Sequence, residues 1–323
     1  MEYNLLGNTG VKVSQLCFGT MSFGGDADEV TSAAMFHRCR EVGINFFDCA
    51  NVYSRGRAEE ILGGLIADYR DEIVLTTKFY GGMGDDINAR GASRYHLRQA
   101  VEASLNRLKT DRIDVYFVHH YPQNTPLEEM LRSLDDLVRQ GKILYPAVSN
   151  FAAWQITKAL GISARLNLAR FEVVQPMYNL VKRQAEVEVL PMAQSENIAV
   201  IPYSPLGGGL LTGKYTADLR PDSGRLVENQ MYQKRYGEET DYQIAGNFTH
   251  FCDERGYDPA ALAVAWVGSH PAVTAPIIGA RNLEQLEGSL KSLEIEMTPK
   301  LRAEISALSP EPPLATDRAE ERR

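Results

Sequence analysis

Four side chains with complementary proton chemistry fall at rising positions along this 323-residue chain: Asp48, Tyr53, Lys78 and His119. Each lies at or just past the end of a short apolar run. Asp48 follows Ile44-Asn45-Phe46-Phe47, and Tyr53 comes five residues later in Asp-Cys-Ala-Asn-Val-Tyr. Lys78 ends Glu72-Ile73-Val74-Leu75-Thr76-Thr77, and His119 ends Asp114-Val115-Tyr116-Phe117-Val118. A free phenol has a pKa of about 10, too high for easy proton donation at neutral pH. A nearby ammonium favours the phenolate and lowers that value. A carboxylate keeps the ammonium charged and in place, and an imidazole can orient a carbonyl or relay a proton. The chemistry this set suits is carbonyl reduction, with hydride going to carbon and a proton to oxygen. Singly, each residue has a plainer reading: a Lys–Asp pair can be a structural ion pair, and a histidine can simply pack. Their shared place at successive strand ends favours the chemical reading.

The elements that must position them alternate strand and helix. Residues 3–13 read as a hairpin around Gly7-Asn8-Thr9-Gly10. Strands are expected near 15–18, 44–48, 72–78, 114–119, 143–148, 171–175, 198–203 and 273–278. Helices are expected near 28–42, 57–69, 94–109, 127–140, 152–162, 184–196 and 282–291, with further helices near 241–255, 258–269 and 298–308. Ser93 is the expected cap of the third helix. Thr125 is the expected cap of the fourth, with Pro126 in its first turn. Eight βα units give the count of a closed parallel (β/α)8 TIM barrel, whose chemistry sits at the carboxyl ends of its strands. An open dinucleotide-binding sheet would usually carry G-x-G-x-x-G after its first strand; Gly19-Thr20-Met21-Ser22-Phe23-Gly24-Gly25 lacks that spacing. No linker interrupts the pattern. One barrel domain is expected over 1–323, with its core at about 15–291 and a helix and charged tail at 298–323. Residues 206–240 read as a long irregular loop of the kind that often forms a lid.

Composition narrows the function class. A net charge of −8 argues against general binding to nucleic acid or anionic membranes. Four scattered cysteines show neither CxxC nor metal-ligand spacing, and read as reduced thiols of a cytoplasmic protein. No metal site is expected. The first residues lack a signal-peptide pattern, and no apolar run is long enough to span a bilayer.

The ordered motifs resemble the aldo-keto reductase family. They include Leu-Gly-Asn-Thr-Gly-Val-Lys-Val-Ser, Phe-Phe-Asp-Cys-Ala-Asn-Val-Tyr, Thr-Thr-Lys and Ile-Asp-Val-Tyr-Phe-Val-His. Further on come Val-Ser-Asn-Phe, Val-Gln-Pro-Met-Tyr-Asn and Tyr-Ser-Pro-Leu-Gly-Gly-Gly-Leu-Leu-Thr-Gly-Lys-Tyr. The likeness runs from about Tyr3 to Leu290. It implies a (β/α)8 barrel, NADPH bound in an extended form, and an Asp-Tyr-Lys-His tetrad falling on Asp48, Tyr53, Lys78 and His119. It also implies that Ser149, Asn150 and Gln175 hold the nicotinamide carboxamide, and that Tyr203 stacks on the nicotinamide ring. Ser204, Pro205 and Leu206, with Gly209 and Lys214, resemble the pyrophosphate loop. Gly19, Thr20 and Asp48 border the cofactor at the first two strands. Its far end falls on Gly279, Arg281, Gln285 and Ser289. Arg281 is placed to clamp a 2′-phosphate, favouring NADPH over a weaker NADH. Gly288-Ser289 stands where the family often has Glu-Asn, which puts adenine contacts there in doubt.

Phe23, Tyr80, His120, Tyr121, Met231 and Tyr232 are expected to line an aromatic substrate mouth with few fixed charges, suited to aldehydes, ketones or sugars. Half of these aromatics can equally be packing residues. The expected partner is a small carbonyl or alcohol substrate; no oligomeric state can be read. Resembling proteins include cytoplasmic β-subunits of potassium channels, so a cofactor-binding partner module with slow or no turnover is the alternative. The absence of a long extension before the barrel is expected to disfavour it. A Schiff-base aldolase using Lys78 is a third reading, disfavoured by the neighbouring Tyr53 and His119.

Overall fold

The computed structural model describes residues 1–215, 221, 222, 224–316, 318 and 320. A two-stranded hairpin, β1 (Tyr3–Leu5) and β2 (Lys12–Ser14), precedes the main sheet. The sheet then alternates with helices: β3 (Cys17–Gly19), α1 (Glu29–Glu41), β4 (Phe46–Asp48), α2 (Arg57–Leu65), β5 (Val74–Phe79) and α3 (Arg94–Leu108). It continues with β6 (Ile113–Val118), α4 (Leu127–Arg139), β7 (Ile143–Ser149), α5 (Ala153–Leu166), β8 (Val173–Gln175), α6 (Val189–Ser195) and β9 (Ala199–Val200). After β9 come α7 (Arg225–Glu228), α8 (Gln230–Arg235), α9 (Glu239–Arg255) and α10 (Pro259–Gly268), then β10 (Ile277–Ile278), α11 (Leu283–Leu290) and α12 (Pro299–Ser306).

All eight strands from β3 to β10 pair in parallel, in the order β10-β3-β4-β5-β6-β7-β8-β9. The two outermost strands also meet. The Thr274 amide donates to the Val200 carbonyl at 2.8 Å, and the Ile277 amide to the Pro202 carbonyl at 2.9 Å. The sheet therefore closes, and the fold is a (β/α)8 barrel. Strand alternation explains how it fills. Phe46, Val115, Phe117, Ala147, Val173 and Ile277 belong to an inner cluster, while Phe47, Leu75, Tyr116, Val118 and Val148 join the larger cluster formed with the helices. With both faces buried, the strands read as nearly continuous apolar runs.

The hairpin lies at the amino-terminal end. Its Leu6 and Val13 are wholly buried in the inner cluster. Gly7 sits at φ +58, and an added Cβ there would meet the Ala199 backbone nitrogen at 2.7 Å. The turn thus needs glycine both for its dihedral and for its approach to β9.

Three sequence expectations need correction. Ser93 caps α3, accepting from the His96 amide at 3.2 Å. On α4, however, Pro126 itself is the N-cap, in extended conformation, and no side chain caps the helix. The expected 184–196 helix is split into a tight turn at Gln184–Glu186 and the shorter α6. The 206–240 loop carries α7 and α8 and ends where α9 begins at Glu239; its residues 216–220 and 223 lie outside the described set. These helices are too short to show periodicity. They are held by burial of Leu226, Tyr232 and Tyr236. Among the described residues no helix is long and apolar enough to cross a membrane.

Candidate active site

Alternation along β4 and β5 turns Asp48, Thr76 and Lys78 toward the barrel axis. Asp48 pairs in register with Thr76, and Lys78 with Phe117 of β6. Lys78 is fully buried and Asp48 nearly so. The Lys78 ammonium donates to both Asp48 oxygens, at 2.7 and 2.6 Å, and to the Cys49 carbonyl at 2.7 Å. Asp48 Oδ1 also accepts from Thr76 Oγ1 at 2.7 Å and from Gln175 Nε2 at 2.9 Å. Such a buried pair holds only because its remaining hydrogen-bonding capacity is satisfied. Thr20 secures the same strand end from β3, its amide and hydroxyl both donating to the Asp48 carbonyl.

Tyr53 begins the turn that follows, half-buried, with Lys78 Nζ 5.2 Å from its ring centroid. His119 follows β6 and meets Tyr53 edge-on, ring centroids 6.4 Å apart, while His120 stacks on His119 at 5.0 Å. The four residues at the strand ends therefore converge.

Burial dominates their electrostatics. It pushes the Tyr53 phenol up to about 12, against the pull of Lys78. This reverses the direction expected from the sequence, because a desolvated phenolate loses more than one nearby ammonium returns. Burial also opposes the charge on Lys78, but the Asp48 carboxylate more than offsets it, and the ammonium lies at about 12. His119 is driven down to about 3 by burial, then by Lys78 and His120, so its imidazole is neutral at pH 7.

A second hydrogen-bonded chain runs around the rim. Ser149 Oγ donates to the Gln175 carbonyl at 2.9 Å. Asn150 Nδ2 donates to the His119 carbonyl at 3.0 Å, and Asn150 Oδ1 accepts from the Tyr203 hydroxyl at 2.8 Å. Ser204 is held through its carbonyl by Asn179 Nδ2 at 2.9 Å, and the same amide group donates to the Tyr236 hydroxyl. Five non-glycine residues at this end have positive φ: Ser54, Arg55, Tyr80, Asn150 and Ser204. Lys109 and Asn167, by contrast, are ordinary left-handed helix caps. Each strained residue costs about 1–3 kcal/mol, and such strain gathers where a site must hold a fixed shape.

Comparison with known proteins now decides the family. The sequence profile of the Aldo/keto reductase family matches residues 15–310. The chain belongs to the aldo/keto reductase family. An uncharacterized oxidoreductase, YrpG, of Bacillus subtilis (strain 168) is 37% identical over 97% of both chains. A probable voltage-gated potassium channel subunit beta of Oryza sativa subsp. japonica is 36% identical over 98% of this chain and 99% of its own. A versiconal hemiacetal acetate reductase of Aspergillus parasiticus is 31% identical over 93% of this chain and 94% of its own. This aldo/keto reductase is thus an oxidoreductase by family.

The remaining sequence-named positions spread along one rim. Gly19 ends β3, where a Cβ would stand 2.8 Å from Ile277 Cγ2. Pro205 is buried, Leu206 half-buried, and Gly209 has φ +104 with open space where a Cβ would be. Lys214 is exposed and makes no ion pair among the described residues. Gly279 and Arg281 follow β10. Arg281 is engaged by Asp26 at 2.9 Å, and Arg225 of α7 approaches the same carboxylate at 3.8 Å. Gln285 accepts from the Arg281 amide, and its own amide is capped by Asn282. The Ser289 hydroxyl is buried without a partner among the described residues.

Two of the expected mouth residues are core instead. Phe23 has no exposure; it packs against Phe18 and bridges to Ala27. Tyr232 is buried, its ring stacked with Tyr236 and lying over Gly208. Tyr80 faces His120 at 5.6 Å, Tyr121 packs on Phe151 and Trp154, and Met231 is exposed. Sequence reading missed Thr76, Asn179 and Arg235. For Thr76 the period of two from Lys78 was an available signal. Asn179 and Arg235 depend on long-range packing that no local pattern encodes.

Proposed function

We propose that this aldo/keto reductase is an NADPH-dependent reductase of aldehydes, ketones or sugars, with Tyr53 as proton donor. The observation that carries the reading is the wholly buried Lys78–Asp48 pair fixed beside the Tyr53 ring, with a neutral His119 facing that ring. The fit of an extended dinucleotide rests on features of this chain. These are the open backbone at Gly209, the partly exposed ring of Tyr203, the helix N-terminus at Asn282 and, among the described residues, the unpaired Lys214 and the unpartnered buried hydroxyl of Ser289. Ser149, Asn150, Gln175 and Tyr203 would hold the nicotinamide end, residues 204–206 with Gly209 and Lys214 the pyrophosphate, and Arg281 with Gln285 and Ser289 the far end. Bound NADPH supplies the hydride.

The chain supplies the rest. Burial keeps the phenol protonated across the physiological range, so Tyr53 carries the proton the carbonyl oxygen will need. As that proton leaves, the fixed Lys78 charge stabilises the phenolate. Asp48, itself held by Thr76, and the Cys49 carbonyl fix the ammonium in place. His119, uncharged, offers an N–H hydrogen bond to the carbonyl oxygen rather than a second acidic proton, and Asn150 pins its backbone.

The test is NADPH consumption against aromatic and aliphatic aldehydes, ketones and sugars, with NADH alongside. The reading expects turnover on at least one class, faster with NADPH. A second reading is favoured by the relatives named as probable channel β subunits, 36% and 37% identical over nearly the whole chain. It makes the protein a cofactor-binding partner module. Tight NADPH binding with no turnover on any carbonyl class would select it over the first.

A further inference from the structure

Arg235 ends α8 at the rim of the site, half-buried. Its guanidinium carbon lies 5.8 Å from the Tyr203 ring centroid and 5.5 Å from that of Tyr232. Burial first, and then the Arg235 charge, opposes protonation of His120. Three other cations are already engaged by carboxylates. Arg225 and Arg281 share Asp26, and Lys182 is paired with Asp241. Arg235 makes neither an ion pair nor a side-chain hydrogen bond among the described residues. A guanidinium presents five N–H donors in a planar fork, and flanking aromatic faces hold the plane without consuming those donors. Tyr203, beneath it, bonds Asn150, which bonds the His119 backbone. The cation therefore lies against Tyr203, whose hydrogen bonds lead through Asn150 to the backbone of His119.

We propose that Arg235 is a specificity residue that selects carbonyl substrates bearing an anionic group, a carboxylate above all, remote from the carbonyl. This names the substrate class of the proposed reductase and rests on that reading for the reaction, though not for the binding. The mouth otherwise offers Tyr80, Tyr121 and the exposed Met231. A substrate with an apolar middle, a carbonyl at one end and a carboxylate at the other matches that order of groups. A bidentate guanidinium–carboxylate contact fixes orientation as well as affinity.

The experiment compares 4-carboxybenzaldehyde with 4-methylbenzaldehyde in the wild type, Arg235→Gln and Arg235→Lys. Turnover is read with NADPH, and equilibrium binding is read calorimetrically on the NADP-loaded protein. The expected result is that Arg235→Gln lowers kcat/KM and affinity for the carboxylate substrate roughly 10- to 100-fold. The methyl analogue should change much less, and Arg235→Lys should recover part of the loss. Equal losses on both aldehydes would overturn the proposal. So would a loss of NADPH affinity in Arg235→Gln, which would make Arg235 a cofactor contact. Arg235-dependent binding of the carboxylate without turnover would leave this proposal standing and remove the reductase reading. Turnover without charge preference would do the reverse.

Discussion

At the amino-terminal end of the barrel, Leu6 and Val13 of the hairpin close over an inner cluster of Phe46, Val115, Val173 and Ala199, all buried and apolar. At the carboxyl end the same strands finish in Asp48, Lys78, Ser149 and Gln175, equally buried but polar and joined by hydrogen bonds of 2.6–2.9 Å. The second end also carries Ser54, Arg55, Tyr80, Asn150 and Ser204 at positive φ, whereas Lys109, Asn167 and Asn197, at positive φ before β6, β8 and β9, follow helix ends. One end is closed by the hydrophobic effect, which tolerates approximate shape. The other depends on hydrogen-bond geometry, which does not. The contrast separates residues that stabilise the fold from residues that shape the reaction.

The largest expected effect joins both roles. Lys78→Met removes one partner of a buried pair and leaves the Asp48 charge uncompensated, which costs about 3–5 kcal/mol. Chemical denaturation should show that loss, and activity should vanish. A stable variant would mean that Asp48 takes up a proton when alone. Leu6→Ala, at the opposite end, should cost ~2–5 kcal/mol through a cavity while kcat and KM stay near wild type at temperatures where the variant is folded. Loss of activity in folded Leu6→Ala protein would erase the division between the two ends.

Acid should weaken the fold. The folded values of His119 and His270 are depressed to about 3 and about 4, chiefly by burial, and those of His96 and His120 are also lowered. The unfolded chain then takes up protons below about 6.5 that the folded chain refuses. Stability is full above that value and falls as pH drops through it toward 4. Thermal midpoints should decline from pH 7 to pH 5, and His119→Gln should shallow the decline. A flat profile over that range would contradict the burial of these imidazoles.

The smallest effect belongs to the exposed rim. Asp26 and Arg281 form a half-exposed pair, the kind worth about 0–1 kcal/mol. Asp26→Asn should leave stability nearly unchanged, yet free Arg281 and tighten NADPH more than NADH. Equal shifts for the two cofactors, measured by fluorescence titration, would show that Arg281 does not read the 2′-phosphate.

The barrel was legible because its strands are short apolar runs bounded by turn residues and its helices carry caps such as Ser93. The convergence of Asp48, Tyr53, Lys78 and His119 followed from strand ends alone. Packing across the barrel was not legible. Phe23 and Tyr232 look like rim aromatics in sequence, but Phe18 and Tyr236 bury them. The direction of the Tyr53 shift was misread because a sequence names its charged neighbours but not its degree of burial. Gln175 shows a related gap: read as a cofactor contact, its amide also donates to Asp48, which no spacing rule reveals.

The most direct test is a single turnover of bound NADPH on an aldehyde, followed at the nicotinamide absorbance in wild type and Tyr53→Phe, with NADPH affinity titrated in both. The phenol gives a proton, while the ammonium beside it is fixed by Asp48 and the Cys49 carbonyl rather than by the phenol. The account therefore predicts hydride transfer at least roughly 100-fold slower with NADPH affinity nearly unchanged. Full-rate transfer in Tyr53→Phe would contradict the assignment of Tyr53 as the proton donor.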